Sequence, residues 1–150
     1  MVTCDAFPST ALSFTVVRFE RIHHVGIVVP DLDIAIAEYE SRFAATVAVR
    51  EVLADQGVEA AALDIGSSEV ELIAPLQAGG VARFLERRGP GLHHIAYAVC
   101  NIDATLAALS AEGTELIDAA ARTGLGGHRV AFLHPRSCGG VLTELVEVHD

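Results

Sequence analysis

The chain has 150 residues, enough for one domain with a real core, and 51% of them are apolar, which excludes a disordered protein. Twenty acidic against ten basic residues give a net charge of −10, which argues against nucleic acid as a partner. All ten basic residues are arginine, so chemistry that needs a lysine (pyridoxal-phosphate or other Schiff bases, a Walker A phosphate loop) is excluded.

Residues 1–20 are set apart as an N-terminal extension; they carry Asp5 and Pro8 and no basic stretch, unlike a signal peptide. A single domain follows over 21–148, as two modules at about 21–76 and 91–148 joined by a linker helix at 79–88. In the first module the apolar, β-rich run 22–29 predicts a strand. Asp31 or Asp33 can cap the helix after it, with Leu32, Ile36, Tyr39 and Phe43 at helical spacing. Residues 46–53 and 58–65 alternate around the Gln56-Gly57 turn and predict a hairpin. Residues 68–74 predict another strand, and Gly89-Pro90-Gly91 ends the linker helix. The second module repeats the order: strand 92–99, helix 103–112 closed by Gly113, short strand 114–118, then strands 128–133 and 141–148. Gly124-Leu-Gly-Gly127 predicts a loop with unusual backbone freedom. The fold class is α+β, two paired βαβββ modules forming one curved, mostly antiparallel eight-stranded sheet with helices outside. Its concave face is the natural pocket. No apolar run approaches the ~20 residues of a membrane helix, so no membrane association is expected. Three cysteines (Cys4, Cys100, Cys138) with no C-x-x-C argue against a disulfide framework or a thiolate zinc site. They make a reducing cytoplasm the simplest location.

The modules are related copies. Ile22-His-His-Val-Gly-Ile-Val-Val-Pro-Asp-Leu-Asp33 realigns with Leu92-His-His-Ile-Ala-Tyr-Ala-Val-Cys-Asn-Ile-Asp103 at an offset of 70, and Glu71-Leu-Ile realigns with Glu144-Leu-Val at an offset of 73. Strand alternation sends His23 and His24 to opposite faces, and likewise His93 and His94. His24 shares a face with Gly26, and His94 with Ala96, small residues that leave space beside each ring. Glu71 and Glu144 stand in otherwise apolar strands, where a carboxylate is costly to bury without compensation. One divalent ion held by His24, Glu71, His94 and Glu144 supplies that compensation. Two nitrogens and two oxygens suit Co, Mn, Ni, Fe or Zn. His23 and His93 are then structural and His149 a solvated tail residue, while His128 and His134 flank the glycine-rich loop's strand, within reach of a ligand.

These segments resemble the vicinal oxygen chelate superfamily, the glyoxalase/bleomycin-resistance-like fold of paired βαβββ units. Within it they resemble the methylmalonyl-CoA epimerase family over residues 21–148. The resemblance rests on the two His-His strands, Asp55-Gln-Gly-Val58, Val70-Glu-Leu-Ile-Ala-Pro-Leu76, Phe84-Leu-Glu-Arg-Arg88, Gly124-Leu-Gly-Gly-His-Arg-Val-Ala-Phe-Leu-His-Pro135 and Gly140-Val-Leu-Thr-Glu-Leu145. It implies an isomerase that epimerises methylmalonyl-CoA at C2 through a metal-stabilised enolate. It also implies the same four metal ligands, an acyl-CoA substrate and a homodimer. Glu144 is the candidate catalytic base beside the metal; no substrate-binding residue is assigned. Some epimerases carry a second glutamate four residues after the Gln of the Gln-Gly-Val turn. Here that position is Ala60, so the second proton carrier is open among water, Glu59 and His128. The alternatives are a related acyl-CoA epimerase, a glyoxalase-type isomerase, or a non-catalytic ligand-binding protein of the bleomycin-resistance type.

Overall fold

The computed structural model describes residues 17–149; the proposed extension lies, up to residue 16, outside the described residues. The first module runs β1 (Arg21–Val28), α1 (Leu32–Phe43), β2 (Thr46–Leu53), β3 (Val58–Ile65) and β4 (Ser68–Pro75). A linking helix, α2 (Gly80–Arg88), leads to β5 (Gly91–Val99), α3 (Ile102–Ala111), β6 (Arg122–Thr123), β7 (Arg129–Leu133) and β8 (Thr143–Glu147). All eight strands form one mixed sheet in the order β2-β3-β4-β1-β5-β8-β7-β6. β1 pairs with β4 and β5 with β8 in parallel; every other pairing is antiparallel, including the central β1–β5 seam that joins the modules.

The two module helices, α1 and α3, start where a short polar side chain replaces a missing backbone acceptor; α2, which follows Gly79, has no such cap and buries no residue. The Asp31 carboxylate accepts from the Ile34 N–H at 2.9 Å, and seventy residues on the Asn101 side chain accepts from the Ala104 N–H at 2.9 Å. Asp31, not Asp33, is thus the cap of α1. α1 and α3 then each bury one apolar stripe against their own half of the sheet. Leu32 and Ile36 pack with Leu63 and Leu72, while Ile102 and Leu106 pack with Leu133 and Leu145. The opposite face carries a smaller-residue cluster of Val58, Ala60, Ala62, Ile73 and Leu125. The sheet curls so that strands of both modules line one cavity on that face.

The strand expected at 114–118 is reduced to one bridge, Leu116 to Leu133. The segment does run beside β7, but the N–H groups of Ile117 and Asp118 both donate to the Phe132 carbonyl, at 2.9 and 3.1 Å. The Asp118 carboxylate accepts the Phe132 N–H at 2.8 Å in place of a backbone carbonyl. A side chain competing with the ladder breaks the strand. The edge strand β6 therefore forms later, at Arg122–Thr123.

Asp31→Ala and Asn101→Ala should each cost about 1 kcal/mol, lowering the melting temperature by about 2–4 °C. Exchanging Asp31 for Asn should restore it. Calorimetric melts check this, and an unchanged alanine melt would show that packing alone starts the helix.

Candidate metal centre

The four central strands β4, β1, β5 and β8 each bring one side chain to the concave face: Glu71, His24, His94 and Glu144. The register makes this meeting possible. Gly26 of β1 lies opposite both Glu71 and His94, and Ala96 of β5 lies opposite both His24 and Glu144. His24 Nε2 lies 3.1 Å from His94 Nε2, 3.2 Å from Glu71 Oε2 and 3.0 Å from Glu144 Oε2; His94 Nε2 lies 3.2 Å from Glu144 Oε2. His24, His94 and Glu144 are buried, and Glu71 nearly so.

Three observations fit a shared cation. Metal–ligand bonds of about 2.1 Å at right angles put neighbouring donors about 3.0 Å apart, close to the spacing seen here. Glu144 Oε2 is sealed from solvent yet makes no aligned hydrogen bond among the described residues, although two imidazole nitrogens stand beside it. A buried acceptor left without a partner among converging donor atoms is placed as a metal ligand is. Gly26 also provides a cradle, because a Cβ there would collide with the His94 ring. The space that Gly26 leaves is therefore filled by the His94 ring.

Strict alternation fails at the first histidine of each pair. In the β1–β5 ladder Ile22 pairs with Tyr97 and His24 with Ala96, so His23 is skipped. Gly26 pairs with His94 and Ile27 with Leu92, so His93 is skipped. These two irregularities turn His23 and His93 into the cavity wall, where both lie beside the buried rings. His23 Nδ1 is 2.9 Å from His24 Nδ1, and His93 Nδ1 is 2.9 Å from His94 Nδ1. If both Nε2 atoms offer lone pairs to an ion, the Nδ1–H groups of His24 and His94 donate outward to His23 and His93. Those acceptors must be neutral. Burial, reinforced by the neighbouring His24 or His94, does lower the pKa of each to about 4. Such outward hydrogen bonds fix a ligand's tautomer and ring angle.

The carboxylates differ in charge. Burial by itself raises the Glu144 pKa, but the adjoining His24 and His94 imidazoles hold it down to about 2. Glu71 has less support: burial, with the Glu144 charge, pushes its pKa up despite His24. Burial opposes charging His24, yet Glu144, Glu71 and Glu69 outweigh it and raise its pKa.

The remaining candidates separate cleanly. Ala60 is on the concave face and fully buried. Glu59 lies on the other face, bound to Arg50 Nε at 2.8 Å, and the same guanidinium reaches Asp33 at 2.7 Å. It is thereby held away from the cavity. His128 lines the cavity, its ring 5.4 Å from that of His23. His134 instead caps the turn at Pro135–Ser137, accepting the Arg136 N–H at 3.1 Å, and His149 is exposed. Glu69 is an addition that the sequence reading missed. It precedes Glu71 by two residues, shares its face, lines the cavity and sits 3.8 Å from His23 Nδ1. Parity with Glu71 was the available signal.

A profile of the Glyoxalase/Bleomycin resistance protein/Dioxygenase superfamily matches residues 23–132. The mitochondrial methylmalonyl-CoA epimerase of Homo sapiens is 35% identical, the match covering 92% of this chain and 80% of that one. The ethylmalonyl-CoA/methylmalonyl-CoA epimerase of Cereibacter sphaeroides is 36% identical over 85% of this chain and 98% of its own. The structure of a variant Streptomyces coelicolor methylmalonyl-CoA epimerase in complex with 2-nitronate-propionyl-CoA superposes with a TM-score of 0.83. It is 36% identical, over 87% of this chain and 95% of that one. The chain belongs to this superfamily and, within it, to the family of methylmalonyl-CoA epimerases, which are isomerases.

Two tests follow from this geometry. His93→Phe keeps the ring but removes the acceptor, and should weaken cobalt binding by about 10–100-fold, whereas His93→Asn should bind close to wild type. Equal affinities for the two would rule out an orienting hydrogen bond. Loading the metal-free protein should also expel protons, because His24 and Glu71 both hold theirs more tightly than usual. Affinity should therefore rise with pH through the raised His24 pKa, as read by cobalt titration across a pH series.

Proposed function

We propose that this chain epimerises methylmalonyl-CoA, or a closely related 2-alkylmalonyl thioester, at C2, with one divalent ion held by His24, Glu71, His94 and Glu144. The observation that carries the reading is the convergence of two imidazoles and two carboxylates from four adjacent strands, inside a cavity of about 830 Å³. The ion supplies positive charge to offset the negative charge that develops on the thioester oxygen as C2 loses its proton.

The protein's own groups do the rest. Apolar walls from Val49, Val58, Ile73 and Phe132 keep water from the acyl head. Glu144, ionised at neutral pH, is the carboxylate that takes a proton on its side of C2. Epimerisation needs a second carrier on the opposite side. With Ala60 apolar and Glu59 held by Arg50, that role falls to Glu69 or His128, which both face the cavity. Burial raises the Glu69 pKa above the usual carboxylate value.

The reading includes a homodimer and a location in the cytoplasm. The edge strand β2 supports pairing, since Val47 and Val52 are exposed on it. Among the described residues no helix is long and apolar enough to cross a membrane. Light scattering measures the oligomeric state.

In deuterated water the protein should exchange the C2 proton of methylmalonyl-CoA with loss of chirality. Turnover of a glutathione hemithioacetal without C2 exchange would sink this reading in favour of a glyoxalase-type isomerase. Absence of bound metal and of any turnover would favour a ligand-binding protein. Glu144→Gln should lower exchange at least a hundredfold, about the scale of a lost general base. Of Glu69→Gln and His128→Asn, the one that removes the second carrier should abolish exchange from one epimer more than from the other.

A further inference from the structure

The arginines of this acidic chain are unevenly engaged. Arg18, Arg42, Arg50, Arg122, Arg129 and Arg136 each lie within 4.0 Å of a carboxylate. Arg21 and, on α2, Arg83, Arg87 and Arg88 do not, among the described residues; Arg21 lies off the cavity wall, and Arg88 rests over the Phe84 ring at 5.7 Å. The three on α2 line the cavity and are exposed, so they form its outer rim. The helix dipole accounts for cations in the last turn at Arg87 and Arg88. It does not account for Arg83 in the first turn, where a positive charge is unfavourable, nor for the like-charge pair Arg83 and Arg87 one turn apart. Glu86, the helix's one acid, is not part of the cavity wall.

The surface between this rim and the four buried ligands is apolar. Leu92, Ile117 and Val141 line the cavity and are 61%, 50% and 42% exposed. Phe84 connects the two regions, its ring 5.0 Å from that of His93. The cavity thus offers a cation-binding end, an apolar wall and a cationic rim in sequence. That order matches a molecule with a carboxylated acyl head, a long neutral arm and a polyanionic end.

Building on the thioester reading above, we infer that Arg83, Arg87 and Arg88 form the subsite for the phosphate groups of a CoA thioester. Guanidinium groups suit phosphate through paired, charge-assisted hydrogen bonds. A local cationic rim also draws a polyanion to a cavity whose protein is negative overall.

The test compares methylmalonyl-CoA with the phosphate-free methylmalonyl-pantetheine, both followed by C2 exchange, in the wild type and in an Arg83→Gln/Arg87→Gln double variant. The KM for the CoA ester should rise about tenfold or more, and the preference for the CoA over the pantetheine ester should shrink by a similar factor. Arg42→Gln, whose arginine pairs with Glu38 on α1, should leave that preference intact. An undiminished preference in the double variant overturns the subsite. If neither ester exchanges in the wild type, the epimerase reading fails and the subsite is judged by calorimetric titration with CoA alone. Weaker CoA binding by the double variant supports it; equal binding, or none by either protein, overturns it.

Discussion

Two carboxylates and two imidazoles meet in the buried centre of the sheet, and none of the four could be there alone. An unpaired buried charge costs several kcal/mol, and deleting one partner of a buried pair costs about 3–5 kcal/mol. Here the acidic and basic groups share that burden across the seam between the modules. Glu144 is held ionised by both rings, while Glu71, at the side, keeps a raised pKa. The arrangement is therefore only part-neutralised by the protein, which is the electrostatic condition under which a divalent cation is most welcome.

The seam is also where the duplication has its physical effect. Each module packs a helix against its own half of the sheet, and the β1–β5 ladder joins the halves, with Leu125 of the second module packed among Val58, Ala62 and Ile73 of the first. That ladder places Gly26 beneath the His94 ring and Ala96 opposite His24. Paired irregularities then swing His23 and His93 in behind the buried rings. Pairing of this kind couples fold to chemistry, since the hydrogen bonds that join the modules also set the angle of each imidazole.

Away from the seam the modules have diverged, and the cavity is asymmetric accordingly. The first module contributes a long hairpin whose concave side is lined with small residues. The second contributes a glycine-rich turn at Leu125–Gly127 and a loop at 114–121 that Asp118 pulls out of the ladder. The linking helix adds a cationic rim. A substrate with chemically different ends needs such asymmetry around a symmetric centre.

The element order and most of its boundaries were legible in the sequence because they rest on local signals. β2 and β3 lie where alternation and the Gln56-Gly57 turn put them, and Asp31, one of the two caps the sequence offered for α1, caps it within reach of its own side chain. The repeat at offsets of 70 and 73 also singled out His24, Glu71, His94 and Glu144, which the structure brings together. Tertiary structure alone decided what depends on a partner strand. Alternation describes a regular ladder, so it could not show that His23 and His93 turn into the cavity where the ladder skips them. Nor could it show that Asp118 takes the Phe132 N–H and ends a strand, that Arg50 draws Glu59 away, or that three arginines of α2 find no acid among the described residues. Each of these is settled by atoms distant in the chain, and such contacts exist only once the sheet has closed.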